Sequence, residues 1–269
     1  MRIISLLPAA TEWVCAFGGR EALVGRSHVC DYPPEVVDLP VLTRPRVDAQ
    51  GTSAEIDRQV RAVWEEGKSL YEIDWAQLHA LQPDLILTQA QCPVCAVSAS
   101  ELEAGLADWP GSPPRLFTMA PQTLKQVLDS ALALGRAIGR TQEAMSYLAR
   151  AEKRLRQLRD FLGLRRRMEG VPLPRVVCVE WLDPLIVAGH WMPDVVELAG
   201  GQPVLTESGH PSRTISWAEL QEADPDVLLL MPCGFSVAQT ARELAVLSQR
   251  PEWQALRAVQ EGRVFVLDG

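Results

Sequence analysis

No stretch of this chain approaches the ~18–20 consecutive apolar residues that a membrane span needs, although 47% of its 269 residues are hydrophobic. No G-x-S-x-G elbow, P-loop, dinucleotide-binding G-x-G-x-x-G or H-E-x-x-H helix occurs in it. The templates for serine-hydrolase, nucleotide and zinc-protease chemistry are therefore missing, and the chain reads as a binder rather than an enzyme. Basic charge is also scarce: the net charge of -8 argues against a nucleic-acid surface, which needs a concentrated basic patch to displace phosphate counterions. The one basic cluster, Lys153, Arg154, Arg156, Arg159 and Arg165 to Arg167, lies late in an expected long helix, where cations complement the helix dipole. Before the first apolar segment there is no basic start, apolar run and small-residue cleavage site, so a cytoplasmic location is expected. Six cysteines (Cys15, Cys30, Cys92, Cys95, Cys178, Cys233) are too few for a disulfide scaffold at this length.

Charged residues make up 22% of the chain, an ordinary globular balance, and its length suits two domains. Short apolar runs at 3–6, 23–25, 39–42, 85–88 and 116–118 read as strands, alternating with helical spacing at 11–17, 53–66 and 75–81. Thr11 is the expected cap of the first of these helices. Strand-like runs then vanish for nearly fifty residues. Apolar positions recur every three to four residues over 123–138 and again from Thr141 through Leu162, the second segment reaching ~35–40 Å at 1.5 Å per residue. After Pro172 and Pro174 the α/β pattern resumes, with strands at 175–180, 185–188, 227–231 and 264–267 and helices at 193–198 and 217–223. The segments ALQPDLILTQ (80–89) and EADPDVLLLM (222–231) repeat one device, a helix, a Pro-Asp turn and a buried strand.

This pattern predicts an α/β N-terminal lobe at 1–120, a helical linker with a spine helix at 121–170 and an α/β C-terminal lobe at 171–269. Two similar lobes predict a ligand cleft. In open parallel sheets ligands sit beyond the carboxyl ends of the strands. Those exits carry His28, Cys30, Tyr32, Gln89, Gln91, Cys92, Cys95, Trp181, His190, Trp191, Met192, Cys233 and Phe235. Aromatic rings offer broad faces to a flat or bulky ligand. Thiols and imidazoles would suit zinc, so Cys30, Cys92, Cys95 and Cys233 form a candidate metal or thiol site. Glu12, also at an exit, reads as a first-turn helix carboxylate.

The run RIISLLPAATEWVCAFG, followed by LVGRSHVCDYPPEV, LPVLT, LHALQPDLILTQ, the helical spine, VELAGGQPVL and EADPDVLLLMPCG, resembles the class III periplasmic binding proteins. Within them it is similar to the cobalamin-binding proteins of vitamin B12 importers and their iron-siderophore relatives. The resemblance covers nearly the whole chain. It implies two Rossmann-like lobes joined by a long backbone helix and a cobalamin, other corrinoid or similar large metal-chelate ligand held between them. It places ligand contacts at Pro8, His28, Tyr32, Trp181, Gly189 and Trp191, to which the strand exits add Gln89, His190 and Phe235. Exported relatives have a signal peptide and a docking glutamate at the start of one helix per lobe; the aligned positions here are Ala76 and Ala218, with Glu219 adjacent, which speaks against docking to an ABC importer. The insert at 44–71 and the QCPVC segment match an unexported subgroup. Relatives also continue into a terminal helix beyond the position of Gly269, which the resemblance expects to be missing here.

Overall fold

A computed structural model of the chain describes every residue except Cys92, Pro93, Cys95, Ser98 and Val171, together with the side chain of Glu169. The chain divides into two compact units. The first contains Met1–Asp48, Gln59–Pro121 and Lys125–Ala151; the second contains Ala49–Arg58, Gln122–Leu124 and Glu152–Gly269.

In the first unit, β1 (Ile3–Ser5), α1 (Pro8–Ala16), β2 (Leu23–Arg26) and β3 (Thr43–Pro45) come in order. They are followed by α2 (Ser53–Glu65), whose first part to Arg58 belongs to the second unit, β4 (Tyr71–Ile73), α3 (Trp75–Leu81), β5 (Leu85–Gln89), α4 (Ala99–Leu106), β6 (Arg115–Met119), α5 (Leu124–Ala137) and α6 (Thr141–Glu169), which passes into the second unit at Glu152. The sheet is parallel, in the order β2-β1-β5-β6. Alternation along its strands sends Ile3, Leu85 and Leu87 to one face, against Val14 and Phe17 of α1, Ala131 and Leu134 of α5 and Leu148 of α6. Ile4 and Ile86 go to the other face, against Leu78, Leu102 and Trp109. A strand buried on both faces needs no polar side, which is why LILT reads as a continuous apolar run.

Three local expectations are corrected. The expected strand at 39–42 lies instead at Thr43–Pro45, where it pairs antiparallel with β4 in a separate two-stranded sheet; only Val41 bridges to Arg26. Thr11 does not cap α1. The helix begins three residues earlier with Pro8 in its first turn, where a missing N–H is no loss, and the Thr11 hydroxyl bonds Ser5 Oγ at 2.8 Å from inside the helix. The spine helix runs 29 residues, from Thr141 past the expected Leu162 to Glu169.

The second unit adds β7 (Arg175–Trp181), β8 (Ile186–Val187), α7 (Met192–Leu198), β9 (Gln202–Pro203), β10 (Arg213–Thr214) and α8 (Trp217–Ala223). It closes with β11 (Val227–Leu230), α9 (Val237–Leu247), α10 (Pro251–Gln254), α11 (Arg257–Gln260) and β12 (Val264–Val266). Its sheet runs β10-β8-β7-β11-β12, with β9 also on β7; β8 and β10 are antiparallel additions to a parallel core. Val177 and Val179 face Leu220, Leu228 and Trp253. Val176 and Cys178 face Ala188 and Val196.

Residues Ala49–Arg58 belong to this second unit although both flanks belong to the first. They are held on α9 by buried polar contacts. Gln239 Nε2 donates to the carbonyls of Ala49 (2.9 Å) and Gly51 (3.3 Å). The Ser53 hydroxyl donates to Glu243 at 2.6 Å, and the Ser53 N–H donates to the same carboxylate.

Candidate functional site

The exit of β2 in the first unit is a loop shaped by two arginines bonded to main-chain carbonyls. Arg26 donates to the carbonyls of Ser27 (3.2 Å), Cys30 (3.2 Å) and Val37 (2.9 Å), and Arg20 donates twice to the carbonyl of Glu35. Five donors on a planar fork can hold several turns of chain at once, which an ammonium cannot. This clamp fixes the segment that carries His28, Cys30 and Tyr32. Sequence spacing does not reveal it, because the acceptors are backbone atoms.

Within that loop His28 is half-buried. Its main-chain N–H donates to Thr43 Oγ1 at 3.1 Å and its Nδ1 lies 2.8 Å from the same oxygen. Its ring sits 5.4 Å from that of Tyr71. Burial, and secondarily the Arg26 charge, pull the His28 pKa down, so the imidazole is neutral near pH 7. Tyr32 is exposed, and Pro8 lies in the first turn of α1. Exposed Glu12 has its pKa raised by burial and then by Asp31.

At the exit of β5, Gln89 is buried and accepts the Gln91 N–H at 2.8 Å. The following loop is tied back by Thr88, whose hydroxyl donates to the Val97 carbonyl at 2.6 Å, and by Tyr71, whose phenol donates to the Val94 carbonyl at 2.5 Å. Cys92 and Cys95 lie outside the described residues.

The thiol of Cys30 does not fit a metal site. It is fully buried, with Sγ 3.1 Å from Ser27 Oγ and 3.7 Å from the Ser5 carbonyl. Burial raises its pKa, so the group rests as a thiol among protein oxygens. Cys233 is exposed, in the second unit. Among the described residues no group of three His, Cys, Asp or Glu side chains is placed to hold a metal ion, so the expectation of zinc finds no support.

The exits of β7, β8 and β11 in the second unit carry five expected residues, among them two ring pairs. Trp181 packs on Phe235 with ring centroids 5.3 Å apart. Phe235 is buried and backs the half-exposed indole. Gly189 occupies a space no other residue fits: an added Cβ would lie 2.4 Å from the His210 carbonyl oxygen and 2.5 Å from Ser212 N. Its N–H donates to Ser212 Oγ at 3.0 Å. His190 follows in the left-handed region at φ 53°, held by its N–H to the His210 carbonyl (2.5 Å) and by Nδ1 against Gln122 Oε1 (2.8 Å). Burial lowers its pKa as well. Trp191 stands beside it, 6.1 Å between ring centroids, and forms the N-cap of α7.

Sequence reading passed over Glu180. This residue follows Val176 and Cys178 on one face of β7, is half-buried, and has its pKa raised by burial against a Ser212 hydrogen bond that lowers it. A lone carboxylate between apolar strand residues and a tryptophan is the signal that could have found it.

The two expected docking positions, Ala76 and Ala218, are exposed in the first turns of α3 and α8. The neighbouring Glu219 is committed elsewhere: it completes a capping box with Ser216 and bonds Arg213 at 2.9 Å, which brings its pKa down to about 2.

Both α/β units thus carry aromatic rings and imidazoles of lowered pKa at their strand exits. The chain belongs to the periplasmic binding protein family, whose model matches residues 3–269. It is 25% identical over 279 residues to a vitamin B12-binding protein of Vibrio cholerae, covering 99% of this chain and 80% of that one. Among solved structures it is similar to the periplasmic vitamin B12 binding protein BtuF of Vibrio cholerae, with a TM-score of 0.66, 23% identity and coverage of 99% and 87%. A periplasmic heme binding protein from Pseudomonas aeruginosa is similar too, with a TM-score of 0.69, 24% identity and coverage of 99% and 84%. Membership in a family of binding proteins makes this a non-enzymatic binder. No helix among the described residues is long and apolar enough to cross a membrane.

Proposed function

We propose that this chain binds a large tetrapyrrole-type metal chelate of the cobalamin or heme kind through the loops at its strand exits. The observation that carries the reading is the Trp181–Phe235 and His190–Trp191 arrangement in the second unit, a set of rigid apolar faces beside a neutral imidazole. Such faces suit a broad macrocycle. His28 and His190 each spend Nδ1 on a protein oxygen, which leaves Nε2 to meet the metal or an amide of the ligand. The vitamin B12-binding and heme-binding relatives support the same ligand class.

Tryptophan fluorescence tests the reading. Cyanocobalamin or hemin should quench the wild-type emission saturably, and Trp181→Leu and Trp191→Leu should each weaken binding by ~10-fold, the loss of one aromatic contact face. Emission that falls only in proportion to inner-filter absorption, for both ligands, contradicts it.

A further inference from the structure

Glu180 has no role in the reading so far, and its surroundings are unusual for a carboxyl group. It is the last residue but one of β7, at the carboxyl end of the strand, where open α/β sheets meet their ligands. Its backbone is fixed by the exit loop of β11, since the Cys233 N–H donates to the Glu180 carbonyl at 3.1 Å. On one side stands Trp181, packed on Phe235. Nearby stands Ser212, whose Oγ accepts the Gly189 N–H and whose hydroxyl opposes the rise in the Glu180 pKa.

Burial disfavours the Glu180 charge, as the raised pKa reflects, and among the described residues no arginine or lysine forms an ion pair with it to offset that cost. A half-buried carboxylate without a cation is stabilised by an N–H donor brought from outside and destabilised by another anion. Macrocycles of the class inferred above differ in this respect. Corrinoids are fringed with carboxamides, which donate N–H; hemes carry propionates, which are anions at neutral pH.

We propose that Glu180, held at the end of β7 by the Cys233 N–H, is a specificity-determining residue that accepts a hydrogen bond from a ligand carboxamide and selects an amide-fringed macrocycle over a carboxylate-fringed one. The inference rests on the proposed ligand class and narrows it.

Calorimetric titration of the full chain with cyanocobalamin and with hemin at pH 7.5 tests it. Wild type should bind cyanocobalamin more tightly than hemin. Glu180→Ala should weaken cyanocobalamin ~10- to 100-fold, the range of one charge-assisted hydrogen bond, while hemin affinity is unchanged or improved. Glu180→Gln is the same size and keeps one acceptor, so it should fold as wild type does, lose less cyanocobalamin affinity and gain hemin affinity. Circular dichroism and the thermal midpoint verify that each variant is folded. Wild-type cyanocobalamin affinity in both variants, or equal losses for both ligands, overturns the role of Glu180 alone. Failure of wild type to bind either macrocycle overturns the ligand class and the role together.

Discussion

The Asp226 carboxylate accepts the main-chain N–H of Arg175 at 2.7 Å, and in the other unit Asp84 accepts the main-chain N–H of Arg2 at 2.6 Å. The likeness extends further. Arg175 donates to the Ala223 carbonyl at the end of α8 and Arg2 donates to the Leu81 carbonyl at the end of α3. Both helices end on a left-handed residue, Asp224 and Gln82, just before the Pro-Asp turn. One local solution is thus used twice to seat the helix that feeds a buried strand against the start of its neighbour.

The second copy is the stronger, because Asp226 also bonds Arg257. Asp226→Ala should destabilise the protein by about 1.5–3 kcal/mol, the usual worth of a hydrogen bond to a charged group, as read from denaturant midpoints. The main-chain bond from Arg175 is the first cause of the lowered Asp226 pKa. A depressed carboxylate stabilises fully above its unfolded pKa, and that contribution is lost as pH falls through the folded value. The difference between wild type and Asp226→Ala should therefore be constant at pH 5–7 and shrink below pH ~3.8.

Arg26 acts on the β2 exit loop through three carbonyls, so Arg26→Lys should loosen it despite keeping the charge. Hydrogen exchange of amides 28–37 should accelerate ~10-fold or more, while amides of β1 and β5 keep their protection. Uniform acceleration across the first unit would instead make Arg26 a residue of general stability.

Gly189→Ala would press a methyl group against the backbone of His210 and Ser212. Overpacking of this sort costs about 1–3 kcal/mol, and the thermal midpoint should fall accordingly. Affinity for the ligand should fall as well, because the displaced segments carry Ser212 and His190.

His28 and His190 both have pKa values lowered by burial. As pH falls below ~6.5 the unfolded chain takes up protons that the folded one refuses, so stability declines from pH 7.5 toward 5. The double variant His28→Asn with His190→Asn should flatten that decline in a series of thermal melts. An unchanged slope would assign the effect to other groups.

Much of this architecture is legible in the sequence, and the reasons are physical. LILT is buried on both faces and VLLL is buried on one and half-buried on the other, so their apolar runs stand out. The helical rhythm of α5 and α6 is plain because each buries a single stripe. Short strands escape: β4, β9 and β10 have two or three residues each, too few for a period, and are defined by partners distant in the chain. The attachment of Ala49–Arg58 to α9 escapes for the same reason, resting on contacts such as Ser53 to Glu243, 190 residues apart. At the site, rings and imidazoles at strand exits were recognisable by residue type. The clamp by Arg26 was not, since guanidinium-to-carbonyl bonds leave no sequence pattern, and a buried thiol such as Cys30 looks like a ligating one until its surroundings are known.

The central claim is that this fold holds a tetrapyrrole-type metal chelate, and its most direct test is a visible-absorption titration of the purified chain with cobalamins and with hemin, followed by calorimetry. The account predicts a saturable spectral change at one ligand per chain for at least one of them, with aquocobalamin or hemin bands shifted by imidazole coordination if Nε2 of His28 or His190 reaches the metal. Superimposable free and mixed spectra, with no heat of binding for any of these chelates, would contradict it.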